Sequence, residues 1–471
     1  MNRLGLFLVI LLTGCAVGPK YQRPAVESPS AWKEFPIEWK QSTPAAVPEQ
    51  EAWWEIFGDP ALNDLESQAL SANLDLKMAL ARLDQAKAVA RVSAAELLPT
   101  LDFSGSYSHF QRTLSSFGGT GFIKNDTYSI PFDLSYEVDL WGRVRRSFEA
   151  SRAEAEATAD AYYAARLSIG AEVASDYFLL RQLDKELKIL NETVELRKEG
   201  LDIVSRRVDA GLASELDAVR ARAEMATAEA EIADVERRRA EFEHALAVLC
   251  AQVPADFTVR KSAADAALPY VPAGVPSQLL ERRPDVAESE RLVAAANARI
   301  GVAQAAFFPV LRLTGSAGYE AAEFDMLFKS TSEVWALGPS VSVPLFAGGR
   351  NRANLKASKA AHEESVARYR KTVLTAFQEV ENALVNLRRR AEQHEAQSRA
   401  LDAVRQAASL SNARYEEGMI SYLEVVDAER SRLEAERLEA QIRSQQMVST
   451  VLLIKSLGGS WQAAGPEQEG R

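Results

Sequence analysis

The side chains able to do chemistry are few in this chain, and only one stands in a recognisable context. His109, His244, His362 and His394 lie far apart. None is followed three or four residues later by a metal-ligating partner, as a helical zinc site needs. The sequence holds no Gly-rich phosphate loop, no nucleophile elbow and no cysteine near a histidine. It reads as a non-enzyme with no metal and no cofactor. Cys15 is different, because it closes Leu12-Thr13-Gly14-Cys15 after a basic start at Arg3 and an apolar run from Leu4 to Leu12. That run is shorter than the roughly 20 residues a helix needs to cross a bilayer. It has the pattern of a secretory signal over 1–14. The last four residues match the bacterial lipoprotein box, so Cys15 is expected to carry a covalent lipid as the mature first residue. Ala16, where an aspartate would retain such a protein at the inner membrane, points to the outer one. An ordinary signal peptide with an incidental cysteine is the plainer alternative. Cys250, at the end of Ala245-Leu-Ala-Val-Leu249, reads as a small buried hydrophobe.

Charge narrows the class further. Lys and Arg number 55 against 66 Asp and Glu, which argues against nucleic acid, whose phosphates call for a basic surface. Arg237-Arg238-Arg239 and Arg388-Arg389-Arg390 lie among glutamates and read as solvated helix faces.

The elements come as a duplication. Arg207-Val-Asp-Ala-Gly211-Leu-Ala-Ser-Glu-Leu-Asp217 returns 207 residues later as Arg414-Tyr-Glu-Glu-Gly418-Met-Ile-Ser-Tyr-Leu-Glu424. The register holds at Gly142/Gly349, Glu172/Glu379 and Leu246/Leu453. Between Pro131 and Pro254 lie 122 residues without proline, and between Pro344 and Pro466 lie 121. Proline costs about 3 kcal/mol inside a helix, so these stretches admit long ones. Gly211 and Gly418 suit a left-handed helix end. Ser214 with Asp217, and Ser421 with Glu424, fit the capping box that starts a new helix. Each repeat therefore holds a helical hairpin, its long arm running from about Ser147 to Ala210, or ~95 Å. The return arm, Ser214 to Leu249, and a helix over Leu62 to Leu98 are expected to stack end to end beside it.

Ahead of each long arm lies β-type sequence. From Tyr128 to Leu140 the even positions are apolar and the odd ones mostly polar, and Trp335 to Leu345 repeats the pattern. Leu101–Tyr107 and Leu311–Ala317 are weaker partners. A soluble sandwich is one reading of four such strands. In an exported lipoprotein, a membrane barrel is the other, and four strands cannot close one. Two chains would give eight strands and three would give twelve.

Several motifs together resemble the outer membrane factor family, the TolC-like efflux channels, and especially its lipoprotein branch. They run from Cys15-Ala-Val-Gly-Pro19-Lys-Tyr21 through Trp53-Trp54-Glu-Ile-Phe57-Gly-Asp59-Pro60 to Tyr136-Glu-Val-Asp-Leu-Trp141-Gly142-Arg143. Arg283-Pro-Asp285, Ala295-Ala-Asn297-Ala-Arg-Ile-Gly301 and Pro344-Leu-Phe346-Ala-Gly348-Gly349-Arg350 continue the series. The resemblance implies an α/β membrane channel. Its homotrimer has a twelve-stranded β-barrel, four strands per chain, and a long periplasmic α-helical barrel. It divides the chain into 1–14 signal, 15–61 anchor and equatorial segment, 62–250 first repeat, 251–284 Pro-rich linker, 285–457 second repeat and 458–471 tail.

It further implies a passive exit duct for small molecules, working with a periplasmic adaptor and an inner-membrane pump of RND or ABC type. The alternative is a duct for type I protein secretion, and a lipid-anchored coiled-coil scaffold is a rival from another class. By the same resemblance, Asp427, Glu424 and Asp217 are gate acids and Tyr415 holds the closed state. The family's charged lock is absent at Ile420, which leaves Arg414 as its candidate. Gly211-Leu212-Ala213 and Gly418-Met419-Ile420 would meet the adaptor. Trp141 and Trp335 suit an interfacial belt, with packing as the alternative.

Overall fold

The computed structural model describes residues 16–29, 31–33, 52–113, 120–264, 267–269, 271 and 282–459. Cys15, the signal segment and the tail beyond 459 lie outside them, as does much of the Pro-rich linker. The helices are α1 Pro60–Ala72, α2 Leu74–Ala95, α3 Arg143–Asp209, α4 Glu215–Leu249, α5 Pro284–Ala305, α6 Arg350–Glu416 and α7 Tyr422–Ser456. The strands are β1 Thr100–Phe103, β2 Ser106–Thr113, β3 Phe122–Val138, β4 Val310–Ala321 and β5 Glu333–Ser342. The duplication is exact in length, since α3 and α6 each have 67 residues and α4 and α7 each have 35. No described helix is long and apolar enough to cross a membrane.

The chain forms two compact units: residues 1–25, 82–159 and 288–370, and residues 26–81, 160–287 and 371–471. The first unit holds one antiparallel sheet. β1 and β2 run in a single register along β3, which pairs with β4, which pairs with β5. The gap between β1 and β2 faces Ile130 and Pro131, and proline has no N–H to give the ladder. On the other side of β3, a Cβ on Gly318 would overlap the Ile130 carbonyl, so glycine is required there. Sequence patterning placed β3 from Tyr128. It begins six residues earlier, at Phe122, because residues Phe122 to Thr127 still pair fully with β2.

The register collects one kind of side chain on each face. Leu101, Leu134, Gly315 and Leu337 form one cross-strand row, and Phe103, Phe132, Ala317 and Trp335 the next. The alternate rows read Thr100, Ser135, Thr314, Gly338 and Asp102, Asp133, Ser316, Ala336. Trp335 and Leu337 are 76% and 78% exposed, so the greasy face is uncovered within the chain. From Tyr128 to Val138 that face extends ~34 Å along the strand, or ~25 Å of height at a 45° tilt, the band of a membrane barrel. Each outer strand, β1/β2 on one side and β5 on the other, pairs along one edge only. Lipid does not tolerate such edges.

Trp141 is a packing residue. Its indole N–H donates to the Pro309 carbonyl at 2.8 Å, and its ring stacks on Phe308 at 4.6 Å. The N-terminal strap also lies in this unit: Val17 N–H donates to the Trp141 carbonyl at 2.9 Å, and Asn297 holds the Pro19 carbonyl at 3.1 Å.

The second unit holds the helical body. The expected helix Leu62–Leu98 is two helices, because Asn73 leaves helical geometry at φ −50°, ψ 132°. Its Oδ1 caps α2 by accepting from Asp75 and Leu76 N–H, and its amide donates to the Leu249 carbonyl at 2.8 Å. The end of α4 thus abuts the start of α2. The second repeat does the same with Arg283, which donates to the Ser456 carbonyl at 3.1 Å. Arg239 corrects the reading of the arginine runs as solvated. It is 5% exposed and meets Asp184 at 2.7 Å.

Both α4 and α7 end in a left-handed turn. In α7 the residue is Gly458 (φ 90°); in α4 the matching residue is Ala251 (φ 54°). A left-handed alanine costs roughly 1–2 kcal/mol, and glycine loses more entropy on folding. Ala251→Gly is therefore expected to stabilise each protomer by about 0.5–1 kcal/mol, read as a raised thermal midpoint.

Candidate functional site

Each hairpin turns by the same chemistry. Gly211 (φ 71°) donates to Val208 O and Leu212 to Arg207 O; Gly418 (φ 77°) donates to Tyr415 O and Met419 to Arg414 O. These are paired Schellman motifs, which satisfy the last helix carbonyls. The new helices start differently. Ser421 opens α7 with its capping box, the Glu424 carboxylate accepting from Ser421 N–H at 3.5 Å. Ser214 opens α4 by accepting from Leu216 N–H, while Asp217 turns to Arg220 at 3.7 Å. The expected second capping box is absent, which leaves the Asp217 carboxylate outside the cap. Asp427, one turn past the cap, is exposed, as is Glu424.

Leu212 and Met419, 78% and 69% exposed, stand bare at the two tips beside Gly211 and Gly418. Ala213 is half-buried, and Ile420 packs against a core formed by Val204, Ala218, Ala221, Tyr415, Tyr422, Val425 and Val426. That core joins both hairpins below their tips. Burial raises the Tyr422 phenol to about 12.

Arg207 crosses from the first hairpin to the second. It donates to the Tyr415 carbonyl at 2.8 Å and the Glu416 carbonyl at 2.6 Å, and its guanidinium lies 4.5 Å above the Tyr415 ring. Those carbonyls end α6, where the helix dipole is negative and favours a cation. Arg414, the expected lock, is exposed and has no side-chain partner among the described residues. The signal for Arg207 was in the repeat itself, since it occupies the column of Arg414. Further along, Glu231 of α4 meets Arg437 of α7 at 2.6 Å, and Glu224 pairs with Arg430 one heptad earlier. The return arms are thereby tied together at two levels.

No group of three His, Cys, Asp or Glu among the described residues is placed to hold a metal ion. Cys250 is 1% exposed, with its thiol pushed up to about 11 by burial, the state of an inert packing residue.

A chain that supplies four barrel strands, β1 and β2 together making one, with one apolar face, one polar face and two open edges is a protomer of an oligomeric β-barrel channel. It belongs to the outer membrane efflux protein family, which residues 65–252 and 275–459 match. The chain is 35% identical over 468 residues to the solvent efflux pump outer membrane protein SrpC of Pseudomonas putida, covering 98% of both chains. It is 32% identical to the cation efflux system protein CusC of Escherichia coli, over 97% of this chain and 98% of that one. Its fold matches the outer-membrane channel OprN with a TM-score of 0.87 at 34% identity, covering 95% of this chain and all of the other. The fold class is accordingly that of the trimeric outer membrane channels, with four strands per chain in a twelve-stranded barrel and an internally duplicated helical barrel. The protein is an outer membrane component of an efflux system.

Proposed function

We propose that this chain is the passive exit duct of a tripartite machine that expels small organic molecules. It is held to the outer membrane by its barrel and by a lipid on Cys15. It engages a periplasmic adaptor at the hairpin tips and, through it, an inner-membrane pump of RND or ABC type that supplies the energy. The duct itself does no covalent chemistry and needs no cofactor. The observation that carries the reading is the sheet with an uncovered apolar face and two open edges, in a chain that also builds two 67-residue helices. The functions for which relatives are named, solvent and cation efflux, support small cargo over protein cargo. Deleting the gene and returning wild-type or Cys15→Ser copies tests this against a panel of solvents, dyes and antibiotics. Restored resistance by the wild-type copy supports efflux. Unchanged survival alongside loss of a secreted protein would select type I export instead.

Exposed Asp427 and Glu424 give each protomer a pair of carboxylates just past the second tip. Threefold symmetry would multiply them around an entrance, where clustered like charges gather counter-cations. Asp427→Ala is expected to shift the reversal potential in planar bilayers toward that of a non-selective pore. An unchanged potential would remove Asp427 from the entrance.

A further inference from the structure

Below the tips, α3, α4, α6 and α7 line a cavity of about 230 Å³ that the duct reading does not use. Three features of its wall are unusual. Gly200 lines it from the interior of the 67-residue helix α3, where glycine costs up to about 1 kcal/mol against alanine. The matching position in α6 is Ala407. A Cβ on Gly200 would meet the Tyr422 hydroxyl at 3.7 Å, an ordinary contact. Packing therefore does not demand the glycine, and its missing side chain leaves that part of the cavity open.

The Tyr415 hydroxyl is the second feature. Tyr415 lines the cavity and is 9% exposed, yet its hydroxyl is buried without a hydrogen-bond partner among the described residues. Buried polar atoms are nearly always satisfied, so this hydroxyl is an unmet donor in the wall beside the cavity.

The third feature is charge. The wall carries Glu199, Glu224, Glu416 and Glu429 against one cation, Arg197. Glu224 is held by both Arg197, at 3.3 Å, and Arg430, and Glu429 by Arg432 at 2.8 Å and the Asn412 amide at 2.7 Å. Glu199 and Glu416 have no ion pair among the described residues. Two tyrosine rings and the side chains of Ile203, Val425 and Val426 complete an aromatic, apolar lining with negative charge at its rim. That combination suits an organic cation.

We propose that this cavity is a binding site for a small organic monocation, with a quaternary or protonated nitrogen on a compact apolar body. Its ammonium faces the Glu199 and Glu416 carboxylates and the Tyr422 ring, since Arg207 already covers the Tyr415 ring, and its body fills the space opposite Gly200. Because the walls come from both hairpins, an occupant ties α3 to α6 and α7 and favours the arrangement in which Arg207 reaches the second tip. The site is distinct from the acids past the second tip and goes beyond the exit-duct reading.

The test uses the purified full-length trimer in lipid nanodiscs, with benzyltrimethylammonium as probe and benzoate as its anionic counterpart. Saturation-transfer NMR and calorimetry should find the cation bound at a Kd on the order of 1 mM, typical of so small a ligand, and benzoate unbound. Gly200→Leu fills the cavity while improving the helix. It should weaken the cation by about tenfold or more with a thermal midpoint no lower than wild type. Asp427→Ala should leave the affinity unchanged. Undiminished binding to Gly200→Leu, absence of binding to the wild type, equal binding of benzoate, or loss of binding in Asp427→Ala would each overturn the proposal. None of these outcomes bears on whether the trimer conducts.

Discussion

Arg207→Ala is expected to assemble as a trimer and to conduct far more at rest than the wild type. The residue makes two charge-assisted hydrogen bonds to carbonyls at the end of α6 and stacks its guanidinium on Tyr415. Hydrogen bonds to a charged group are worth about 1.5–3 kcal/mol each, and a cation–π contact about 0.5–2. These terms are not additive, and solvent competes at the Glu416 side. A net loss of about 3 kcal/mol in holding the hairpins together is a reasonable expectation, equivalent to roughly a hundredfold change in population. If the joined hairpins are the closed entrance, the open fraction rises by about that factor, read as single-channel open probability in planar bilayers. Arg207→Lys offers a point charge in place of a fork and should be intermediate. Arg414→Ala, at the same position of the other repeat but without a side-chain partner among the described residues, should behave as wild type. Equal open probabilities for Arg207→Ala and wild type would show that this contact does not govern the entrance.

How much of this could be read in the sequence depends on whether the cause was local. The 207-residue period and the Gly-x-x-Ser turns gave both hairpins, because a helix end and a cap are decided within a few residues. Alternation from Tyr128 gave the apolar and polar faces of β3 for the same reason. Asn73 was lost inside a long helical pattern, since its break is secured by a carbonyl 176 residues away. Arg207 was passed over for Arg414 because its targets lie 208 and 209 residues downstream. Asp217 followed the capping-box spacing, yet side-chain competition with Arg220 decided its position. Composition made the runs of arginine look solvated, while the partner that buries Arg239, Asp184, comes from another helix. The lipidation of Cys15 rests on its motif alone.

Glu66→Gln is expected to stabilise the protein at neutral pH and to remove a pH dependence that the wild type must show. Glu66 lies in α1 at a core position of the series Leu62, Leu65, Glu66, Ala69, and it is fully buried. Neither carboxyl oxygen has a hydrogen-bond partner among the described residues, and Trp53 and Gly170 pack around it. Burial alone raises its pKa from 4.5 to about 9. A carboxyl with a raised native pKa is held protonated by the fold, whereas the unfolded chain releases the proton above its ordinary pKa. Below pH 4.5 the two states bind the same proton and there is no penalty; between 4.5 and 9 the penalty grows with pH; above 9 it is constant. At 1.36 kcal/mol per unit, wild-type stability at pH 7 is lower by about 3 kcal/mol per protomer than at pH 4.5 from this group. Glutamine keeps the shape without the ionisation, so its advantage should be within about 1 kcal/mol at pH 4.5 and should widen steadily toward pH 8. Chemical denaturation of both proteins across that range measures the difference. Parallel stability profiles would mean that Glu66 is ionised and solvated in the native trimer. A widening gap would place an uncharged acid in the helical body, where the apolar register of α1 put it.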